Sequence, residues 1–167
     1  MKLQNRQLKK NEAIDIQDIT MVDVQTEILI NKPLDKVAEY AVNPDNAPKW
    51  YVNIKSAEWQ TSKPLQLGSK IDFRAKFLGR ELAYTYEIVE LIPHSKLVMR
   101  TAEGPFPMET TYTWSAVSES STKMTLRNTG KPAGFSKVFA PIMAFMMRKA
   151  NNKDLKAIKM ILEQKTG

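Results

Sequence analysis

The sequence contains no cysteine. That excludes disulfides, thiol catalysis and thiolate metal ligands, and it fits a reducing compartment. It contains a single histidine, His94, in the turn IPHSK. One imidazole cannot build a multi-histidine metal centre, and in a turn it reads as a solvated side chain. The six glycines are scattered, with Gly68, Gly79, Gly104 and Gly130 at expected turns. No glycine-rich phosphate loop and no nucleophile motif results. No apolar run reaches the roughly 20 residues that span a bilayer, and the start, MKLQNRQLKK, lacks the apolar run of a signal peptide. The expectation is a cytoplasmic protein with no metal and no cofactor.

What is present is a chain of 167 residues, 43% hydrophobic and 26% charged. That length and composition suit one domain with a substantial core. Residues 1–19 are polar and without period and read as a tail, leaving 20–165 as the single domain. The formal net charge of +7 is unevenly placed: residues 1–130 carry 17 basic and 16 acidic side chains, and residues 131–167 carry eight basic and two acidic. Such an excess suits a solvated lysine-rich helix face or an anionic membrane surface. Nucleic acid is not expected as a partner, because the basic residues lack interleaved aromatic stacking groups.

Along the chain, TMVDVQTEILI alternates, with Val22, Val24, Thr26, Ile28 and Ile30 on one face. That is a half-buried strand. Pro33 suits the first turn of a short helix carrying Val37, Tyr40 and Ala41 on one side, and Asn43-Pro44 ends it. A second short helix is expected over 45–50. From 53 to 130, six more strands follow, separated by turn signals at Gly79, IPHS, EGPFP and SESS. Their spacing suggests an antiparallel meander. After GKPAG a helical period runs to about Gln164. Phe135, Val138, Phe139, Ile142 and Met146 share one side of this helix, and Met143, Met147, Ala150, Ile158 and Ile161 share another. Pro141 starts the helix or kinks it. A helix apolar on two sides needs two apolar neighbours. One is the sheet; the other is a ligand, the short helices, a partner subunit or a membrane. The all-round apolar segment leaves a homodimer open, and peripheral membrane contact as well.

The strand faces offer a lining. Phe73, Tyr84, Tyr86, Met99, Met108, Tyr112, Trp114 and Met124 are expected on one face of one sheet. The set fits two descriptions: a core packed against the long helix, or an apolar cavity with tyrosine hydroxyls as polar handles and methionines adapting to its contents. Among the carboxylates, Glu87 and Glu90 flank a strand end and read as surface groups; Glu90 is the one to watch, since an inward turn into an apolar pocket would raise its pKa and suit it as an acid or base.

The order of strand, two short helices, six strands and long helix resembles the helix-grip fold. The residues ILINKPLDKVAEYAVNPDNAPKW at 28–50, LGSKIDF at 67–73, YTYEIVELIPHSKLVMRT at 84–101, GPFPMETTYTWSAV at 104–117 and DLKAIKMILE at 154–163 look like the START-like (SRPBCC) superfamily. Within it they resemble the bacterial polyketide cyclase/dehydrase and lipid-transport branch. The resemblance covers about residues 20–164. It implies an α+β fold: a seven-stranded curved antiparallel sheet wrapped around a long C-terminal helix, enclosing an apolar cavity. Trp50 then lies near the cavity mouth or in the core beneath the short helices. Members of the superfamily bind lipids, sterols, polyketides, quinones or hormones, and others are enzymes, so the fold alone does not decide the function.

The leading expectation is non-enzymatic binding, transport or sensing of a small hydrophobic ligand of lipid, polyketide or aromatic type. The expected lining is Trp50, Phe73, Tyr84, Tyr86, Met99, Met108, Tyr112, Trp114 and Met124 from sheet and short helices, with Phe139, Met143 and Met147 from the long helix. Two alternatives stand beside it. One is a polyketide cyclase-like enzyme in which Tyr84, Tyr86, Tyr112 and Glu90 hold or protonate an aromatic substrate. The other is a module docking on a protein or membrane through residues 135–149.

Overall fold

A computed structural model of the chain describes residues 21–77, 79–104, 107–131 and 140–164. The expected tail at 1–19, and Phe135, Val138 and Phe139 of the expected helix, lie outside the described residues. The strands are β1 (Val22–Ile30), β2 (Ile54–Trp59), β3 (Lys70–Phe77), β4 (Arg80–Ile92), β5 (Lys96–Glu103), β6 (Met108–Ser118) and β7 (Ser121–Gly130). Two short helices, α1 (Leu34–Val42) and α2 (Ala47–Trp50), follow β1, and α3 (Ala140–Gln164) closes the described chain. All seven strands form one antiparallel sheet in the order β1-β7-β6-β5-β4-β3-β2. Six strands in sequence make a meander, and β1 closes it by pairing with the last strand. This is the arrangement that the family resemblance implies.

Period-two alternation decides which face packs. Val22, Val24, Thr26 and Ile30 of β1 are buried, and Asp23, Gln25 and Glu27 are exposed. Pro33 stands at the N-cap of α1, one residue before the helix. Asn43 ends α1 in an extended conformation, as a residue before proline must, and its Oδ1 accepts from the Asp45 N–H at 3.0 Å.

The helix α3 lies across the inner face and packs along β1. Its buried stripe is Met143, Asn151, Asp154, Leu155, Ile158 and Leu162, with the spacing of one helix face. Met143 packs with Val22 and Val24. Leu155, Ile158 and Leu162 join the main core with Trp50, Trp114, Met124 and Leu126. Among the described residues no helix is long and apolar enough to cross a membrane.

The second half of β4 departs from simple alternation. The β4–β5 register shifts between Ile88 and Glu90. Val89 is the extra residue; it is exposed, while Ile88 is buried and Leu91 packs on the core. The bulge inverts the parity beyond it. Glu90 is therefore not inward: its carboxylate pairs with Lys96 Nζ at 2.9 Å, with both side chains partly solvated.

Candidate functional site

Between the sheet and the first half of α3 lies a cavity of about 160 Å³. Its walls come from four places. β3 and β4 supply Phe73, Ala75, Phe77, Leu82, Tyr84 and Tyr86; β5, β6 and β7 supply Met99, Met108, Thr110, Tyr112 and Asn128. The segment after α2 adds Tyr51, Asn53 and Ile54, and α3 adds Met143, Met147, Ala150 and Asn151.

The register explains why the cavity occupies one end only. Met108, Thr110, Tyr112 and Trp114 follow one another along the inner face of β6, opposite Gly130, Asn128, Leu126 and Met124 of β7. Met108 faces glycine at the first position and threonine faces asparagine at the second, which leaves space under α3. Leucine, methionine and tryptophan stand at the next two and close it. Along α3 the same change runs from Ala150 and Asn151 to Leu155, Ile158 and Leu162.

Of the residues expected to line a cavity, Phe73, Tyr84, Tyr86, Met99, Met108, Tyr112, Met143 and Met147 meet around this one. Three others lie in the solid part. Trp50 is fully buried, with its ring centroid 4.0 Å from that of Tyr51 and 5.9 Å from that of Tyr112, which is the core position beneath the short helices. Met124 is buried opposite Trp114. Trp114 is buried on the far side of Tyr112 and borders a separate space near Leu65, Leu91 and His94. Phe139 lies outside the described residues. On α3, Ile142 and Phe145 face outward, 53% and 67% exposed.

Two polar groupings interrupt the apolar walls. The first is a row across the sheet and on to the helix. Thr110 Oγ1 donates to Asn128 Oδ1 at 2.7 Å, directly across the β6–β7 pair, and Asn128 Nδ2 donates to Asn151 Oδ1 at 3.1 Å. The second grouping joins the Tyr51 and Tyr112 hydroxyls, which share a short hydrogen bond. Asp154 stands close enough to both for its charge to raise their pKa. Burial is the main cause that pushes the hydroxyls of Tyr51, Tyr84, Tyr86 and Tyr112 upward. All four remain protonated at neutral pH and keep their donors.

Asp154 is only 3% exposed. Burial pushes its carboxyl up to about 7, against the opposing pull of the Val52 N–H and of Lys153. Its Oδ1 accepts from the Val52 N–H at 2.8 Å. That bond ties α3 to the segment that carries Tyr51 and Asn53 to the cavity wall.

Sequence reasoning missed Thr110 and Asn128 as a pair, along with Tyr51, Asn151 and Asp154. The helical residues carried a signal. Met147, Asn151, Asp154 and Ile158 are spaced by four, three and four, so two polar residues stand on an apolar stripe. A polar group there must find a partner or meet something polar. The Thr110–Asn128 pairing carried none, because it depends on the β6–β7 register.

The sequence matches the family described as polyketide cyclase / dehydrase and lipid transport over residues 21–163. No curated protein matches it. Several solved structures share its fold. An aromatase/cyclase from a Streptomyces species is 16% identical, with a TM-score of 0.72, covering 88% of this chain and 96% of its own. A START superfamily protein from Mycobacterium smegmatis is 12% identical, with a TM-score of 0.74, covering 86% and 99%. A major latex-like protein from Panax ginseng is 12% identical, with a TM-score of 0.67, covering 84% and 97%. The helix-grip arrangement and the match along nearly the whole described chain agree: the chain belongs to the polyketide cyclase/dehydrase and lipid transport family.

Proposed function

We propose that the protein binds a small hydrophobic ligand in the cavity between sheet and α3, as a carrier or sensor rather than as an enzyme. The observation that carries this reading is the wall itself. Aromatic rings and four methionines surround a space of about 160 Å³, and no described residue lining it is ionisable except through a tyrosine hydroxyl. Burying an apolar molecule there is favourable in proportion to the area removed from water. Flexible thioethers let the wall follow ligands of differing shape. A dry apolar space of about 150 Å³ accepts a benzene-sized guest, so a single ring, or one segment of a larger chain, is the scale of occupant.

The test is uptake of a one-ring probe, toluene, followed by NMR. Saturable binding is expected in the native protein. Met147→Asp places a charge in the wall and is expected to abolish it, with the fold retained by circular dichroism. Phe145→Asp, on the outward face of the same helix, is expected to bind as the native protein does. Undiminished uptake by folded Met147→Asp overturns the reading.

Asp154 favours a second reading, a cyclase-like activity on an aromatic substrate. A carboxyl titrating near neutrality can both give and take a proton. It does not line the cavity, so it would act through the Tyr51–Tyr112 pair. Turnover of an aromatic polyketide that disappears in Asp154→Asn, with binding intact, would favour the enzyme over the carrier.

A further inference from the structure

We propose that the cavity selects ligands bearing a neutral oxygen acceptor, above all a carbonyl, which takes its hydrogen bond from the side-chain amide of Asn151. This rests on the ligand-binding reading above and specifies the chemistry of the occupant.

The protons of the polar row run one way. Thr110 has one hydroxyl proton, and it goes to Asn128 Oδ1. Asn128 passes its own amide proton to Asn151 Oδ1. Each member of the row therefore gives in the same direction, from Thr110 to Asn128 to Asn151. The last donor, Asn151 Nδ2, is buried and has no hydrogen-bond partner. Asn151 is only 4% exposed and is part of the cavity wall. Turning the Asn151 amide alone does not help, since its NH₂ would then face the NH₂ of Asn128. A buried donor left unmade is costly, whereas one met by an acceptor is favourable. A pure hydrocarbon fills the cavity but leaves Asn151 unmet. A ligand with a carbonyl oxygen completes the row.

The charge of the acceptor follows from the surroundings. No described residue of the cavity wall is a lysine, arginine or histidine. A carboxylate would enter without a counter-charge, which low-dielectric surroundings penalise heavily. A ketone, ester, amide or quinone oxygen carries no such penalty. The cavity is thus built for neutral carbonyl compounds and against free carboxylic acids in their ionised form.

Three probes of nearly equal shape separate the possibilities: acetophenone, α-methylstyrene, in which a CH₂ replaces the carbonyl oxygen, and benzoate. Each is titrated against the whole protein and against Asn151→Leu, which keeps the branched shape of the side chain and removes the donor. Asn151→Leu is expected to weaken acetophenone about tenfold, leave α-methylstyrene unchanged or tighter, and leave benzoate the weakest ligand of the native protein. In the native protein, acetophenone is expected to shift the Asn151 side-chain amide proton resonances downfield, and α-methylstyrene is not. That second measurement decides the matter if Asn151→Leu does not fold. Equal losses for acetophenone and α-methylstyrene, or unmoved Asn151 amide resonances, overturn the carbonyl proposal while the ligand cavity stands. Benzoate binding more tightly than acetophenone overturns the neutrality of the acceptor. Failure of both neutral probes to bind the native protein removes the cavity reading and this one with it.

Discussion

Asp154 shows how one side chain couples the site to pH. The folded chain holds its proton up to about pH 7, whereas the unfolded chain releases it near the ordinary value of 3.8. The folded state therefore binds the proton more tightly. Its contribution to stability is fully present below the unfolded value and is lost as pH rises through the folded one. Asp154→Asn keeps an oxygen for the Val52 N–H and removes the titration. It is expected to stabilise the protein by roughly 2–4 kcal/mol at pH 8 and to change it little at pH 4. Thermal melts across that range check it: a native melting temperature that falls from pH 4 to pH 8, and a flatter profile for the variant. Equal slopes would mean that the carboxyl is not protonated in the fold.

At the scale of elements, the hairpin from β5 to β6 holds a ring of the cavity wall in place by close approach. Gly104, at the end of β5, stands against Tyr84 of β4, and a Cβ at this glycine would lie 2.6 Å from Tyr84 Cδ1. The contact is with the base of the ring rather than with a flexible end, so the ring itself must move, and it moves against the cavity. Gly104→Ala is expected to cost about 1–3 kcal/mol by overpacking and to weaken toluene binding severalfold. Chemical denaturation and the probe titration read the two effects separately. The bulge at Val89 works at the same scale: by one extra residue it sends Glu90 to Lys96 on the outside and brings Leu91 in. Helix α3 divides its faces likewise, with Met143 against Val22 and Val24 and with Phe145 outward.

Across the whole molecule, cavity and solid core are two ends of one interior. Small and polar groups, Gly130, Asn128 and Thr110, stand at one end, and Trp114, Met124, Leu155 and Ile158 fill the other. Stability and binding should therefore separate along the length of α3. Ile158→Ala, at a fully buried position, is expected to cost about 2–5 kcal/mol and to leave the affinity of the folded protein for toluene within about threefold. A proportionate loss of binding would mean that the two ends are mechanically coupled. The described lysines of α3 lie outside this division: Lys149, Lys153 and Lys156 are exposed, and Lys159 turns its amine to the Leu29 carbonyl at 2.6 Å.

The sequence by itself determined the order of elements and the inward set of most strands, because alternation and turn chemistry are local and a two-sided helix must be covered. It was enough to bring Phe73, Tyr84, Tyr86, Met99, Met108 and Tyr112 to one face. It could not separate lining from filling, since Tyr112 and Trp114 are two residues apart on the same face, yet Tyr112 borders the cavity and Trp114 borders the space beside α1. Nor could it foresee the bulge that turned Glu90 outward, because alternation carries no mark of an inserted residue. Only the tertiary structure decided where the cavity ends and which polar groups meet in it. Thr110, Asn128 and Asn151 come from two strands and a helix, and their shared row exists only once strand register and helix position are both set. A hydrogen bond reaches about 3 Å, and no sequence pattern places three separate segments within that distance.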